Sequence, residues 1–146
     1  METEAGSRVK HVYDELTFEL LDRHEVPAAY PYPYGFLPDH MAADGECVDC
    51  YLLTDTPMPA GTVVDAQVVG LIEQWEAGAE DHKVLLLPAD VTPPGDEGLD
   101  ARVPEAIMAF MRSLFAAFPD MLVTVGPARG ARAARQYLSA FGAPLR

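Results

Sequence analysis

Residues 44–49 read Asp44-Gly45-Glu46-Cys47-Val48-Asp49 and follow the aromatic and proline run Tyr30-Pro31-Tyr32-Pro33-Tyr34-Gly35-Phe36-Leu37. Asp44 and Glu46 are two apart, so on an extended backbone they leave from one face, and Gly45 lets the chain bend or a ligand approach closely. Asp49 has the opposite parity and joins them only if the backbone turns near Glu46 and Cys47. Two carboxylates about 4 Å apart repel by roughly 4 kcal/mol at an effective dielectric of about 20, so a converging group needs positive charge within it. A hard divalent cation such as Mg²⁺ suits that need, because it takes oxygen ligands, keeps several waters and is usually held by a few carboxylates together with substrate phosphates. A second acidic stretch, residues 76–83, ends in Asp81 and Lys83, which share one face of an extended chain. Lys83 and Lys10 are the only lysines.

Composition narrows the classes. A chain of 146 residues that is 49% hydrophobic supports one domain over residues 1–146 with a real core. The net charge of −13 argues against nucleic acid and anionic membranes as partners, since both reward surface lysine and arginine. No run of 18 apolar residues occurs, and Met1-Glu2-Thr3-Glu4 lacks the basic start of a secretory signal, so a cytoplasmic location is expected. Cys47 and Cys50 form a lone C-x-x-C, read as two reduced thiols at a strand start rather than a redox pair or half a zinc site. His11, His24, His40 and His82 have no H-x-H or H-x-x-x-H spacing and read as surface or supporting residues. Tyr32, Tyr51 and Trp75 read as core.

The elements that must position these groups follow from periodicity. Val12, Leu16, Phe18 and Leu20 alternate imperfectly over residues 10–22, predicting a hairpin that turns near Asp14-Glu15. Residues 24–34 are extended or looped. Strands are expected over residues 48–53, 62–72, 84–87 and 121–125, with 62–72 central and an acidic loop over 93–98. From Pro104, read as the first helical residue, Ile107, Met108, Met111, Leu114, Phe115 and Phe118 recur at helical spacing. A second helix is expected over 127–141, closed by Gly142. Strands first and helices last indicate α+β.

Taken together these motifs resemble the family I soluble inorganic pyrophosphatases. Their pattern runs Tyr-Pro, two residues, Tyr-Gly-aromatic-aliphatic, and later Asp-Gly-Asp-Pro-aliphatic-Asp, to which residues 30–37 and 44–49 are similar. Glu2, Gly6-Ser7-Arg8, Lys10 and Asp22-Arg23 fit the family's order, as do residues 59–72 and, without a gap, residues 76–83. The resemblance implies a small closed five-stranded β-barrel of the OB type flanked by two C-terminal helices. It implies Mg²⁺-dependent hydrolysis of pyrophosphate to two phosphates, with Mn²⁺ as a substitute. Asp44, Asp49, Glu76, Asp81 and Glu2 would hold metal, and Glu46 would act as base. Tyr34, Lys10, Arg23 and Lys83 would contact the phosphates, Tyr34 also as part of the catalytic machinery. The resemblance further implies a homo-oligomer, a hexamer in bacterial members.

The chain departs from that pattern at named places. Glu46 stands for an aspartate, Cys47 for a proline, Val12 for a second glutamate and Ala77 for an acid, and Leu114 and Phe115 lie near the place of an adjacent Tyr-Lys pair. The extra methylene of Glu46 moves its carboxylate by about an ångström, and a displacement of that size can lower a rate ~10²-fold. Arg112, or Arg129 and Arg132 near a helix start, are candidates for the missing positive charge. Two other readings compete with pyrophosphate hydrolysis: a related protein that binds phosphate compounds without turnover, and a hydrolase of another phosphoanhydride such as a nucleotide.

Overall fold

The computed structural model describes residues 1–95 and 97–142. Val9–Tyr13 (β1) and Leu20–Glu25 (β2) form an antiparallel hairpin, which carries the expected turn over residues 14–19. Tyr34–Met41 (β3), Cys47–Leu52 (β4), Ala66–Glu76 (β5), Ala79–Glu80 (β6), Lys83–Pro88 (β7) and Val123–Gly130 (β8) build a mixed sheet. Two helices complete the chain, Arg102–Ala116 (α1) and Ala131–Leu138 (α2).

The strand order is β3-β4-β7-β5, with β6 and β8 also paired to β5 and with β4 parallel to β7. Trp75 faces Glu80 on β6 and Ile72 faces Lys83 on β7, one continuous register, so β6 and β7 are a single strand interrupted at Asp81 and His82. The interruption has a local cause. The Gln74 N–H donates to His82 Nδ1 at 3.0 Å, a side-chain acceptor in place of a backbone one. His82 is therefore buried, packed between Trp75 and Tyr137, the supporting rather than the surface place of the two that its spacing allowed.

Several boundaries differ from the sequence reading. The central strand starts at Ala66, because residues 61 and 62 are tied to the chain's beginning: the Met1 ammonium donates to Thr62 O at 2.8 Å and Gly61 N–H to Met1 O at 2.8 Å. Helix α1 starts two residues before Pro104, where the Asp100 carboxylate accepts the Arg102 N–H at 2.9 Å. Pro104 still lies in the first turn, where its missing N–H costs nothing. Strand β8 starts at Val123 and runs through Pro127, which sits beside a register shift opposite Ile72 and Gln74 where no ladder donor is needed. Helix α2 is correspondingly short.

Both faces of the sheet are covered, so its inner strands are apolar on both parities. Tyr34, Tyr51, Ile72 and Leu85 pack against Ile107, Phe110 and Met111 of α1, and Val48, Cys50, Leu52, Val84 and Leu86 pack with Leu138 of α2. Cys47 and Cys50 are free and buried, with the thiol pKa pushed by burial to about 11 and about 12. The expected closed barrel is not found: among the described residues no pairing joins β3 to β8. The outer edge of β3 is instead taken by the N-terminal segment, where Thr3 and Tyr34 exchange backbone hydrogen bonds at 3.0 Å, and by Gly142 O, which accepts the Met41 N–H at 2.8 Å. Among the described residues no helix is long and apolar enough to cross a membrane.

The turn joining β5 to β6 places Ala77 at φ 50 and Gly78 at φ 84, the left-handed pair that tight hairpins require. Alanine is poorly suited to that conformation. Ala77→Asn is expected to raise stability by up to ~1 kcal/mol in urea unfolding; a loss of stability would contradict this assignment of the turn.

Candidate functional site

The parallel pairing of β4 with β7 sets Cys50 beside Val84, so Asp49 and Lys83 leave neighbouring strands on the α1 face, one pleat beyond Tyr51 and Leu85. Lys83 is only 5% exposed, and its Nζ lies 2.7 Å from Asp49 Oδ2 and 3.1 Å from Asp81 Oδ2. Burial opposes the ammonium, but the two carboxylates outweigh it and hold the Lys83 pKa above its usual value. Asp81 is pushed upward by its own burial, against the pull of Lys83. Its Oδ2 also accepts from Gln74 Nε2 at 3.1 Å. Gln74 is 2% exposed, and its Oε1 has no hydrogen-bond partner among the described residues.

More acid surrounds this knot. The Glu2 N–H donates to Tyr34 O at 2.7 Å, which anchors the N-terminal segment on β3 and buries the Glu2 carboxyl. Burial pushes its pKa up to about 7, with Asp49 and Glu15 adding to the shift and Lys10 opposing it. Glu46 is likewise raised, first by desolvation and then by Asp44, Asp49 and Asp81, again against Lys10. Asp44 accepts the Glu46 N–H at 2.9 Å, which fixes the bend at Gly45 (φ 85). Lys10 stands over the Tyr34 ring at 5.6 Å, and Tyr34, packed on Tyr30 and Tyr51, is held as the neutral phenol by burial and then by Asp49. Asp44, Glu46, Asp49, Asp81, Glu2, Lys10, Lys83 and Tyr34 thus share one electrostatic environment.

Other expected residues lie elsewhere. Glu76 shares the face of Ile72 and Gln74 but stands two residues, about 7 Å, further along β5, opposite Ala79. Arg23 pairs with His11 while Lys10 pairs with His24, which sends Arg23 from the opposite side of the hairpin, exposed. Arg129 belongs to β8, not to a helix start, and its Nε donates to Glu73 Oε1 at 3.0 Å. It lines a cavity with His82 and Tyr137 on the α2 side of the sheet, so it does not supply the missing positive charge. Arg132 is exposed on α2 and Arg112 exposed on α1.

Two polar groups near the site have no motif to announce them. Gln74 carried a faint signal, a polar residue at the core parity of an otherwise apolar strand. Glu15 carried none: its Oε1 accepts the Cys47 N–H at 3.0 Å across 32 positions, a contact that only the packed fold creates.

The donor set suits a hard cation. Its oxygens are carboxylates, several are pushed up by burial among like charges, and the buried Gln74 Oε1 is an unused neutral oxygen. Among the described residues no three His, Cys, Asp or Glu side chains are grouped as a ready coordination sphere. Mg²⁺ keeps most of its waters and asks for only one or two carboxylates, so a ring of acids fits it better than a metal that needs an all-protein cage.

Known proteins share this chain's sequence pattern and fold. A family model described as inorganic pyrophosphatase matches residues 1–125. The chain is 36% identical over 91 residues to the inorganic pyrophosphatase of Synechocystis, a match covering 61% of this chain and 54% of the relative. It is 32% identical over 111 residues to that of Saccharolobus solfataricus, covering 73% of this chain and 64% of the relative. The matched part thus spans little more than half the length of such relatives. Among solved structures, the inorganic pyrophosphatase from Thermus thermophilus superposes with a TM-score of 0.85 at 28% identity, covering 97% of this chain and 86% of that one. The enzyme from Coxiella burnetii gives 0.84 at 26% identity, covering 96% and 89%.

The raised Glu2 pKa has a defined consequence for stability. Its carboxyl titrates near 4.5 when unfolded and near 7 when folded, so the unfolded chain binds fewer protons between those values and stability falls as pH rises through that window. In chelator, Glu2→Gln is expected to stabilise the protein by roughly 1–3 kcal/mol at pH 8 and to have little effect near pH 4. A pH-independent difference in thermal unfolding would contradict this.

Proposed function

Because the chain belongs to the inorganic pyrophosphatase family, we propose that its acidic site hydrolyses pyrophosphate to two phosphates with the help of Mg²⁺. The observation that carries the proposal is the buried Lys83 ammonium held between Asp49 and Asp81, with Glu2, Asp44 and Glu46 around it. Asp44, Asp49 and Asp81 would hold the cations, with Glu2 nearby and Glu76 at the margin of the same face. Mg²⁺ bound there supplies neutralisation of the phosphate charge and a more acidic water, and Mn²⁺ can stand in for it.

The chain's own groups divide the remaining work. Glu46, exposed at the bend and surrounded by carboxylates, has the raised proton affinity that a base for the attacking water needs. Lys10 presents its ammonium group to phosphate oxygens, Lys83 does so only once cations take over Asp49 and Asp81, and the neutral Tyr34 phenol is a hydrogen-bond donor. Arg23 takes part only if the β1–β2 hairpin turns its other side to the substrate. The longer reach of Glu46 compared with aspartate lowers the rate rather than abolishing proton transfer.

A homo-oligomer, hexameric by resemblance, and a cytoplasmic location belong to the same proposal, as does a barrel-like closure of the sheet through side-chain packing. Exposed Leu20, Leu21 and Val63 support burial of surface between copies. Sedimentation at micromolar concentration is expected to give a species larger than 16 kDa, and a monomer would remove this part.

Catalysis is tested by following phosphate release from pyrophosphate and, separately, from nucleoside triphosphates, with Mg²⁺ or Mn²⁺. The expected result is Mg²⁺-dependent release from pyrophosphate that falls by about 100-fold or more in Asp49→Asn. Faster release from nucleotides would favour a different phosphoanhydride. Binding without release at any Mg²⁺ concentration would favour a non-catalytic relative.

A further inference from the structure

Gln74 is 2% exposed and shares its face of β5 with the fully buried Ile72, yet its Oε1 has no hydrogen-bond partner among the described residues. A buried carbonyl in that state costs about 1–3 kcal/mol, a penalty that a methionine of similar length would not carry. Core stability therefore does not account for an amide at this position. Its reason must lie with the other end of the amide.

The contacts of Gln74 converge on Asp81. Trp75 pairs with Glu80 and Ile72 with Lys83, so Gln74 stands opposite Asp81 and both side chains leave the α1 face. In an unbroken antiparallel ladder such a pair exchanges two backbone bonds. Here one is kept, Asp81 N–H donating to Gln74 O at 2.8 Å, and the other is diverted, Gln74 N–H donating to His82 Nδ1 at 3.0 Å. A side-chain bond takes the place of the diverted one, Gln74 Nε2 donating to Asp81 Oδ2 at 3.1 Å. Asp81 is thus tied to Gln74 through both its backbone and its carboxylate. Gln74 is held in turn by a histidine packed between Trp75 and Tyr137.

This tie selects one carboxylate oxygen. Lys83 Nζ also reaches Oδ2, at 3.1 Å, so both donors hold the same atom and neither takes Oδ1. Lys83 alone would not fix the plane of the carboxylate, because an ammonium on a flexible stem follows either oxygen and this one is shared with Asp49 at 2.7 Å. The Gln74 amide is planar and stands on a strand, so it sets the rotation. We propose that Gln74 is a positioning residue for Asp81: its amide anchors Oδ2 and keeps Oδ1 free for the hydrolytic chemistry. This rests on the reading of Asp81 as a residue of pyrophosphate hydrolysis.

The test compares wild type, Gln74→Met, Asp81→Ala and the double variant by thermal unfolding in chelator and by Mg²⁺-dependent phosphate release from pyrophosphate. Gln74→Met removes the donor together with the unpaired carbonyl, so its Tm in chelator is expected at or above that of wild type, while its kcat falls about tenfold or more. Added to Asp81→Ala, the same substitution is expected to change kcat by less than about twofold, because no carboxylate remains to be oriented. Independently of turnover, heteronuclear NMR of the metal-free wild type is expected to show a Gln74 side-chain amide proton shifted downfield and slow to exchange, with both signs lost in Asp81→Ala. Wild-type kcat in Gln74→Met, an equally large effect of that substitution on the Asp81→Ala background, or an amide without those signs overturns the proposal. The NMR arm still decides should Gln74→Met fail to fold. A wild type that releases no phosphate at any Mg²⁺ concentration overturns the reading of the site and this proposal with it, an outcome distinct from wild type and Gln74→Met releasing phosphate equally fast.

Discussion

A single ammonium group, Lys83 Nζ, is buried against Asp49 and Asp81, and the register of the sheet around it is bound to that fact. A charge taken out of water is tolerated only when it is paired and hydrogen-bonded. A slip of one residue in β7 would send Lys83 to the α2 face among Val48, Cys50 and Leu138 and bring Val84 to Asp49. The alternation that buries Leu85 against α1 is the same alternation that presents Lys83 to its carboxylates. Core and site therefore specify each other, with the apolar layer of Tyr34, Tyr51, Phe110 and Met111 forming the floor on which the charged end rests.

The charged end is out of balance by design of its residues. Glu2, Glu15, Asp44, Glu46, Asp49 and Asp81 face three ammonium groups, those of Lys10, Lys83 and Met1, and burial disfavours ionisation of several of the acids. Gln74 Oε1, without a hydrogen-bond partner among the described residues, adds to the unfavourable balance beside Asp81. A surplus of buried negative charge is costly unless positive charge is brought to it.

Much of this was legible in the sequence, for physical reasons that can be named. Asp44, Asp49, Asp81 and Lys83 lie in short motifs whose chemistry survives in linear order, and the apolar spacing of Ile107 and Met111 identifies the helix that covers them. Contacts made at long range were not legible. The tie between Met1 and Thr62 moved the start of β5, and Pro127, accepted at an irregular point of β8, carried Arg129 into a strand and across the sheet to Glu73. Val12 leaves its strand without the acid that the family pattern carries there, whereas Glu15 reaches the bend from a turn whose composition gives no hint of it. Closure of the sheet likewise depends on which segment reaches the edge of β3, a matter of tertiary packing rather than of local pattern.

The most direct test of the account is diffraction from crystals soaked in Mn²⁺, with data collected where the metal scatters anomalously. The account predicts anomalous density on the α1 face, at coordination distance from carboxylate oxygens of Asp49 and Asp81 and beside the bend at Asp44. Anomalous density confined to the α2 side near Glu73 and Glu80, or a site in which Asp49 and Asp81 touch nothing but Lys83, would contradict it.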